Sequence, residues 1–334
     1  MESKVTGVNI GNGFTKAYWA GRKTCFESQV APAIEVEFYT SERAGGEARE
    51  VESNGARWMV GEWARVQNPH ALIQPRGRER DLDYLMALTM AALYNVQAPE
   101  RIAYLTTGLP LQWYRDKERL EAGLVGPHVT TINGHRQRYE IEHVTVMPES
   151  LGTFFYLMMD DALQGNKVGL GSKKVLIIDV GTTNTNFVTV NKKTYSAGES
   201  TSVDVGMSDV YTAVAAKVLE RYGRELSFRE AEEAYRERIV RVSGTMHSIG
   251  TIVEAAEQAV FRSITAIAKT KYGRGDAFDA IPLTGGGANG LAKRFKALYP
   301  QAWLVPQAQM ANAMGFYRYS KLQVKMSERK KVRV

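Results

Sequence analysis

The sequence predicts an α/β protein built from two similar domains, and three observations support that class. The chain has 334 residues, enough for two domains at about 150 residues each. Apolar runs alternate with stretches of helical period along its length. An apolar strand that enters a glycine turn and leaves along a second strand occurs twice, about half a chain apart. Superposing Asn9 on Asp179 also places Gly11 on Gly181 and Lys16 on Asn186. Duplicated domains of this kind are expected to face one another, with their turns meeting across a cleft.

The elements follow in order. Val5 to Ile10 reads as a strand, Gly11 to Lys16 as a tight turn, and Ala17 to Ala20 as the returning strand. Further strands are expected near Phe26 to Val30, Glu35 to Tyr39 and Arg57 to Val60, with Ser41 to Gly55 as an exposed loop. Arg80 to Tyr94 carries Leu82, Leu85, Met86, Met90 and Leu93 at a spacing near 3.6, which predicts a helix. Arg101 to Thr107 is a buried strand, and Leu151 to Leu163 an apolar helix entered through Pro148 and Ser150. Gln164 to Lys174, with three glycines, marks the junction. The second domain opens on the continuous apolar run Lys173 to Asp179, of the kind found in a strand buried on both faces. Helices are expected at Ser208 to Tyr222, at Ser227 to Val240 behind a capping box, and at Ile252 to Thr270. Ala280 to Leu283 is a last buried strand. The domains are therefore placed at 1–165 and 172–310, with a closing helix at 311–322 packed back on the first and a basic tail at 323–334.

Composition excludes several classes. With 44% hydrophobic residues the chain is not a disordered tail protein, and its single cysteine rules out a disulfide scaffold. Cys25 is expected to be a small buried hydrophobe. The histidines, His70, His128, His135, His143 and His247, lack metal-ligand spacing, so a metal held by nitrogen and sulfur alone is not expected. No window approaches the roughly 20 apolar residues of a membrane-spanning helix, so no membrane contact and a cytoplasmic location are expected. The net charge of +7 is concentrated at the end, in Lys321, Lys325, Arg329, Lys330, Lys331 and Arg333. These read as a solvated tail. Without a helix-turn-helix, zinc finger or RNA-stacking motif, no direct sequence-specific nucleic-acid binding is expected.

The glycine turns carry the chemistry. Backbone N–H groups in such turns offer a phosphate several donors at close approach. Gly11-Asn12-Gly13 and Gly181-Thr182-Thr183 both suit that role. Lys16 adds a point charge for phosphate oxygens, and Thr182 and Thr183 add hydroxyl donors. Asp179, ending a buried strand at the cleft, is a carboxylate of the kind Mg²⁺ engages through water and shared phosphates. Gly285-Gly286-Gly287-Ala288 lets the backbone pass close to an adenine ring or α-phosphate. None of these is a Walker A loop or a dinucleotide fingerprint.

In this order the turns resemble the motifs of the actin, Hsp70 and sugar-kinase ATPase superfamily. Val8 to Lys16 is similar to its phosphate-1 motif, Asp179 to Asn186 to phosphate-2, and Leu283 to Ala288 to the adenosine motif. Met147-Pro148-Glu149-Ser150, Val205-Gly206-Met207-Ser208-Asp209-Val210 and Asn312 to Tyr317 resemble segments of the bacterial and archaeal actin-like group typified by the plasmid-segregation protein ParM. The resemblance implies two duplicated RNase H-like domains, the actin-like ATPase fold, around a central nucleotide cleft. It implies ATP, or GTP, with Mg²⁺. It assigns nucleotide contacts to Gly11, Asn12, Gly13, Phe14, Thr15, Lys16, Gly181, Thr182, Thr183, Asn184, Gly206, Gly285, Gly286, Gly287 and Ala288. Glu149 would orient or deprotonate the attacking water, Asp179 would act beside it, and Asp179 and Asn9 would face the metal. Two positions depart from the pattern: Asn9 and Asn186 stand where the family usually has Asp, and an amide supplies no charge.

The function so implied is an ATPase that polymerises head to tail into filaments on binding nucleotide, for plasmid segregation through a DNA-bound adaptor. The alternative is a sugar or acid kinase of the same fold. It requires a polar substrate pocket, and no segment marks one.

Overall fold

The structure, a computed structural model, describes residues 4–35, 47–53, 55–68, 81–165 and 169–331. The strand expected at Glu35 to Tyr39 lies, beyond Glu35, outside the described residues, as do 41–46 and 54 of the Ser41 to Gly55 loop, Arg80, His70 and Arg333. The chain divides into two compact units: Met1–Gly171 with Gln309–Val334, and Ser172–Ala308.

In unit 1, β1 (Val5–Ile10), β2 (Phe14–Trp19) and β3 (Arg22–Glu27) form an antiparallel meander. Then come β4 (Val30–Pro32), β5 (Glu50–Ser53), β6 (Ala56–Val60) and the helices α1 (Gly61–Gln67) and α2 (Leu82–Asn95). After these come β7 (Arg101–Ile102), β8 (Tyr104–Leu109), a 3₁₀ turn at Leu111–Asp116, and α3 (Lys117–Leu124). The segment ends with β9 (Gly126–Ile132), β10 (His135–Ile141), β11 (Val144–Pro148) and α4 (Leu151–Met158). Unit 2 holds β12 (Lys174–Val180), β13 (Thr185–Asn191), β14 (Thr194–Val203), α5 (Met207–Tyr222) and α6 (Phe228–Glu237). It continues through β15 (Ile239–Val242), β16 (Thr245–Ser248), α7 (Gly250–Tyr272), β17 (Ile281–Thr284), α8 (Ala288–Leu298) and β18 (Ala302–Leu304). Helix α9 (Ala311–Lys331) returns to unit 1.

The two five-stranded sheets have one plan. In unit 1 the order is β3-β2-β1-β8-β11, and in unit 2 it is β14-β13-β12-β17-β18. In both, three strands run antiparallel and the next two join in parallel. This is the duplicated RNase H-like arrangement. Unit 1 adds a six-stranded sheet in the order β4-β6-β5-β9-β10-β7. The apolar residues of β1, β8, α2 and α9 share one core, and those of β12, β13, α5, α7 and α8 share the other.

Local chemistry explains where elements stop. Helix α2 is buried continuously from Tyr84 to Leu93, and the Asp81 side chain caps it by accepting from Asp83 N–H at 3.0 Å. Helix α4 stops at Met158, short of Leu163, because Asp160 Oδ1 accepts from the N–H groups of Ala162 and Gln164 at 2.9 Å, a side-chain turn that competes with the helix. Helix α6 keeps its capping box, with Ser227 N–H and Oγ both donating to Glu230. It ends at Glu237 because Arg238 turns left-handed, at φ 58°, into the β15–β16 hairpin. Arg101 to Thr107 is two strands in two sheets, β7 and β8, rather than one.

Cys25 is exposed, which corrects the expectation of a buried thiol: the pleat of β3 turns Thr24 inward and Cys25 to the opposite face, beside Lys16, where its Sγ accepts from Gln309 Nε2 at 3.3 Å. The basic C-terminal segment continues α9 as far as Lys331, with 325–330 exposed. Helix α9 presses on β1 and α4 through glycines: a Cβ on Gly7 would strike the backbone of Ala313 and Tyr317, and one on Gly315 the carbonyl of Gly152. Among the described residues no helix is long and apolar enough to cross a membrane.

Candidate functional site

In unit 1 the Gly11 turn closes with Gly11 N–H donating to the Phe14 carbonyl at 3.0 Å, while Ser28 N–H donates to Gly13 at 2.9 Å. Strand β2 therefore begins at Phe14, earlier than the sequence suggests. Cross-strand register sets Asn9 opposite Lys16, so their side chains share a face. Thr15 points to the other face, where its hydroxyl and Ser28 Oγ lie 2.8 Å apart. A Cβ built on Gly11 would lie 3.2 Å from Lys16 Nζ and 3.7 Å from Glu149 Oε1. An ammonium and a carboxylate thus flank one stretch of bare backbone. Gly11, Asn12, Gly13, Phe14, Lys16 and Glu149 are all half-buried.

Glu149 owes its position to residues that the sequence reading left unused. It follows β11, and its N–H donates to the Leu109 carbonyl at 2.9 Å. A Cβ on Gly108 would lie 2.6 Å from Phe316 Cζ and 2.8 Å from Glu149 Cα, so only glycine lets this corner close. The available signal was the Gly-Leu-Pro end of the expected strand. Asn9, 2% exposed, has an Oδ1 without a hydrogen-bond partner. An unsatisfied buried acceptor of this kind is uncommon and calls for a donor such as water.

In unit 2 the equivalent turn closes with Gly181 N–H donating to the Asn184 carbonyl at 2.9 Å. Asp179 pairs with Asn186 across β13 and with Thr284 along β17, and it is 5% exposed. The first donors of α5 hold the turn: Met207 N–H donates to the Gly181 carbonyl at 3.1 Å, and Ser208 N–H to Thr182 at 2.7 Å. Carbonyls that would repel a phosphate are thereby tied to a helix N-terminus. A Cβ on Gly206 would come within 2.6 Å of the Thr182 carbonyl and 2.8 Å of Asn184 N and the Gly181 carbonyl. Asp209 accepts from Gly206 N–H at 2.9 Å and fixes this corner.

The third glycine run closes on the same place. Gly285 has φ +89°, and a Cβ there would strike Asp179 Oδ1 and the Val180 carbonyl. Gly287 N–H donates to Val180 at 3.0 Å, and a Cβ on Gly287 would strike the Met207 side chain. Gly286 is exposed, and Ala288 is buried at the start of α8. Unit 2 therefore gathers Asp179, Gly181, Thr182, Asn184, Gly206 and Gly285 to Gly287 at the ends of two parallel strands, where α/β sheets bind ligands. Met207 and Asp209, which complete the corner, lie inside the Val205 to Val210 segment without having been singled out.

Among the described residues no three His, Cys, Asp or Glu side chains gather as a metal cage. Unit 2 presents the Asp179 carboxylate, and unit 1 separately presents the orphaned Asn9 amide oxygen. Both are oxygen acceptors, suited to the waters of a hydrated Mg²⁺ rather than to a stripped transition metal.

Comparison with known proteins agrees with this architecture. Residues 7–152 match the N-terminal domain of actin like proteins, and residues 177–297 match the C-terminal domain of the archaeal actin homologue MreB-like family. No curated protein matches the chain. Among solved structures, the archaeal actin homologue Ta0583 superposes with a TM-score of 0.80 at 21% identity, over 97% of this chain and 100% of its own. The same homologue in complex with ADP gives 0.75 at 20%, over 97% and 100%. A 15-stranded ParM filament from Clostridium botulinum gives 0.77 at 19%, over 96% and 100%. With two actin-type family matches, one in each unit, and a shared fold along almost its whole length, the chain belongs to the actin-like superfamily.

Proposed function

We propose that this protein binds a purine nucleoside triphosphate through its glycine turns, hydrolyses it, and assembles with copies of itself into filaments. The observation that carries the reading is the convergence of Lys16 Nζ and Glu149 Oε1 on the side-chain-free backbone of Gly11. Lys16 binds phosphate oxygens, and backbone donors of the two turns take the rest of the negative charge. Glu149 orients the attacking water and accepts its proton, the positioning role that dominates phosphoryl transfer. Asp179 of unit 2 and Asn9 of unit 1 are the oxygen acceptors that would hold waters of Mg²⁺, and that ion would neutralise charge on the phosphates. Gly285 to Gly287 let the base side of the nucleotide approach the backbone. The archaeal homologue crystallised with ADP and the ParM filament support nucleotide binding and self-assembly as the reading of this fold. A plasmid cargo reached through a DNA-bound adaptor is the finer form of the proposal.

Sedimentation with and without ATP and Mg²⁺, followed by electron microscopy of the pellet, tests it. Nucleotide-dependent filaments are expected. Nucleotide hydrolysis without a polymer at any salt concentration would overturn the filament reading in favour of a small-molecule kinase.

A further inference from the structure

Both arms of the unit 1 site lead to one side-chain cluster away from it. Two residues beyond Lys16 on β2, the Tyr18 hydroxyl donates to Asp161 Oδ2 at 2.5 Å. Glu149 stands just before α4, and Arg318 holds the far end of that helix. Its Nη1 donates to the carbonyls of Tyr156 and Met159 at 2.5 and 2.8 Å, where the helix ends. Its Nε donates to Asp161 Oδ1 at 2.8 Å, and the guanidinium lies 4.5 Å from the centre of the Tyr156 ring. Lys321 Nζ donates to the Asp161 carbonyl at 2.5 Å. Asp161 is thus where the strand bearing Lys16, the helix that follows Glu149 and helix α9 are tied together. It also stands at the start of the segment that runs on to Ser172.

Two features argue that this cluster serves geometry more than stability. A partly exposed ion pair such as Arg318–Asp161 adds little net stability, because solvent screening and desolvation offset its attraction, whereas the planar fork of an arginine fixes direction. Arg318 is only 8% exposed. Helix α4 is eight residues long and α9 holds both of its ends: Asn312 Oδ1 accepts from Thr153 N–H at 3.0 Å in the first turn, and Arg318 takes the carbonyls at the last.

We propose that Tyr18, Asp161 and Arg318 are positioning residues that hold β2 and α4 in the register that keeps Lys16 Nζ and Glu149 Oε1 beside Gly11. The proposal rests on the reading of that site as a nucleotide site. It separates into two arms. Tyr18→Phe keeps the ring against Tyr317 but cuts the tie from β2 to Asp161, so it acts on the lysine arm. Arg318→Lys keeps the charge but cannot span both carbonyls and the carboxylate, so it acts on the glutamate arm.

The test measures ATP affinity, turnover at saturating ATP with Mg²⁺, and thermal melting on the full chain. For a sub-ångström displacement, Tyr18→Phe is expected to weaken affinity about tenfold with saturated turnover held within about twofold. Arg318→Lys is expected to lower saturated turnover about tenfold with affinity nearly unchanged. If Arg318→Lys does not fold, the isosteric Asp161→Asn replaces it and is expected to lower both parameters. Variants that keep wild-type affinity and turnover, whatever their melting temperature, would overturn the positioning role while leaving the nucleotide reading intact. A wild-type protein that binds no nucleotide would overturn both.

Discussion

The two glycine hairpins share strand order and register, yet they are built from different materials. In unit 1 the space around Gly11 is bounded by one backbone carbonyl, that of Phe14, and by the tips of two charged side chains, Lys16 and Glu149. In unit 2 the space around Gly181, Gly206 and Gly285 is bounded largely by backbone, apart from the side chains of Asn184 and Asp179. Side-chain tips can move aside and carry charge. Backbone packed against backbone can do neither. On the proposed reading the first hairpin supplies movable charge and the second a rigid cradle.

Substitutions can break or sharpen this contrast. The largest effect is expected from Gly206→Ala, where a methyl would sit within 2.6 to 2.8 Å of three backbone atoms. Overpacking of that kind costs about 3 kcal/mol, which denaturant unfolding would register. An unchanged midpoint would mean the cradle is not rigid. Lys16→Ala should leave that midpoint nearly untouched but weaken nucleotide binding about 100-fold, the worth of a charge-assisted phosphate contact, as titration calorimetry would record. Glu149→Ala should slow phosphate release by about 100-fold while nucleotide-bound polymers persist in pelleting assays. Unchanged turnover would remove Glu149 from the mechanism. Gly11→Ala makes the direct comparison with Gly206→Ala. Its nearest neighbours are the Phe14 carbonyl at 3.1 Å and a mobile lysine tip at 3.2 Å, so a loss under about 1 kcal/mol is expected, with nucleotide affinity falling more than stability.

The smallest effect lies outside both hairpins, at the α6 cap. Hydrogen bonds from the Ser227 backbone N–H and then its hydroxyl hold the Glu230 carboxyl below its ordinary range. Because the folded-state value is depressed, this contribution is complete above the ordinary carboxylate range and is lost as the pH falls through the depressed value. The melting difference between wild type and Glu230→Gln should therefore be present at neutral pH and vanish in acid. A difference independent of pH would show that the cap does not act through charge.

The duplicated hairpin was legible because it is local. A turn needs glycine at positions a few residues apart, and the seven-residue interval from Asn9 to Lys16 recurs from Asp179 to Asn186. The α5, α7 and β12 segments were legible for the same reason, through the 3.6-residue period or a continuous apolar run. The β9–β10 hairpin was not, since its strands run through Pro127, His128, His135, Arg136 and Arg138 with little alternation of apolar and polar residues. Cys25 was misjudged because its burial depends on which face of β3 it occupies, opposite to the buried Thr24, and on what packs over that face, which is a property of the whole sheet.

From the sequence alone came the fold class, the paired turns and the residue types able to meet a phosphate, because each turn is a pattern within a dozen positions and the pattern recurs half a chain later. Only the tertiary structure decided which of those residues share a place. Gly108 and Phe316 aim Glu149, α5 holds the Gly181 turn, and Arg318 binds the end of α4. Each of these contacts joins residues remote along the chain. Their pairing is selected by packing and by the need to satisfy buried polar groups, and a linear pattern carries no record of that selection.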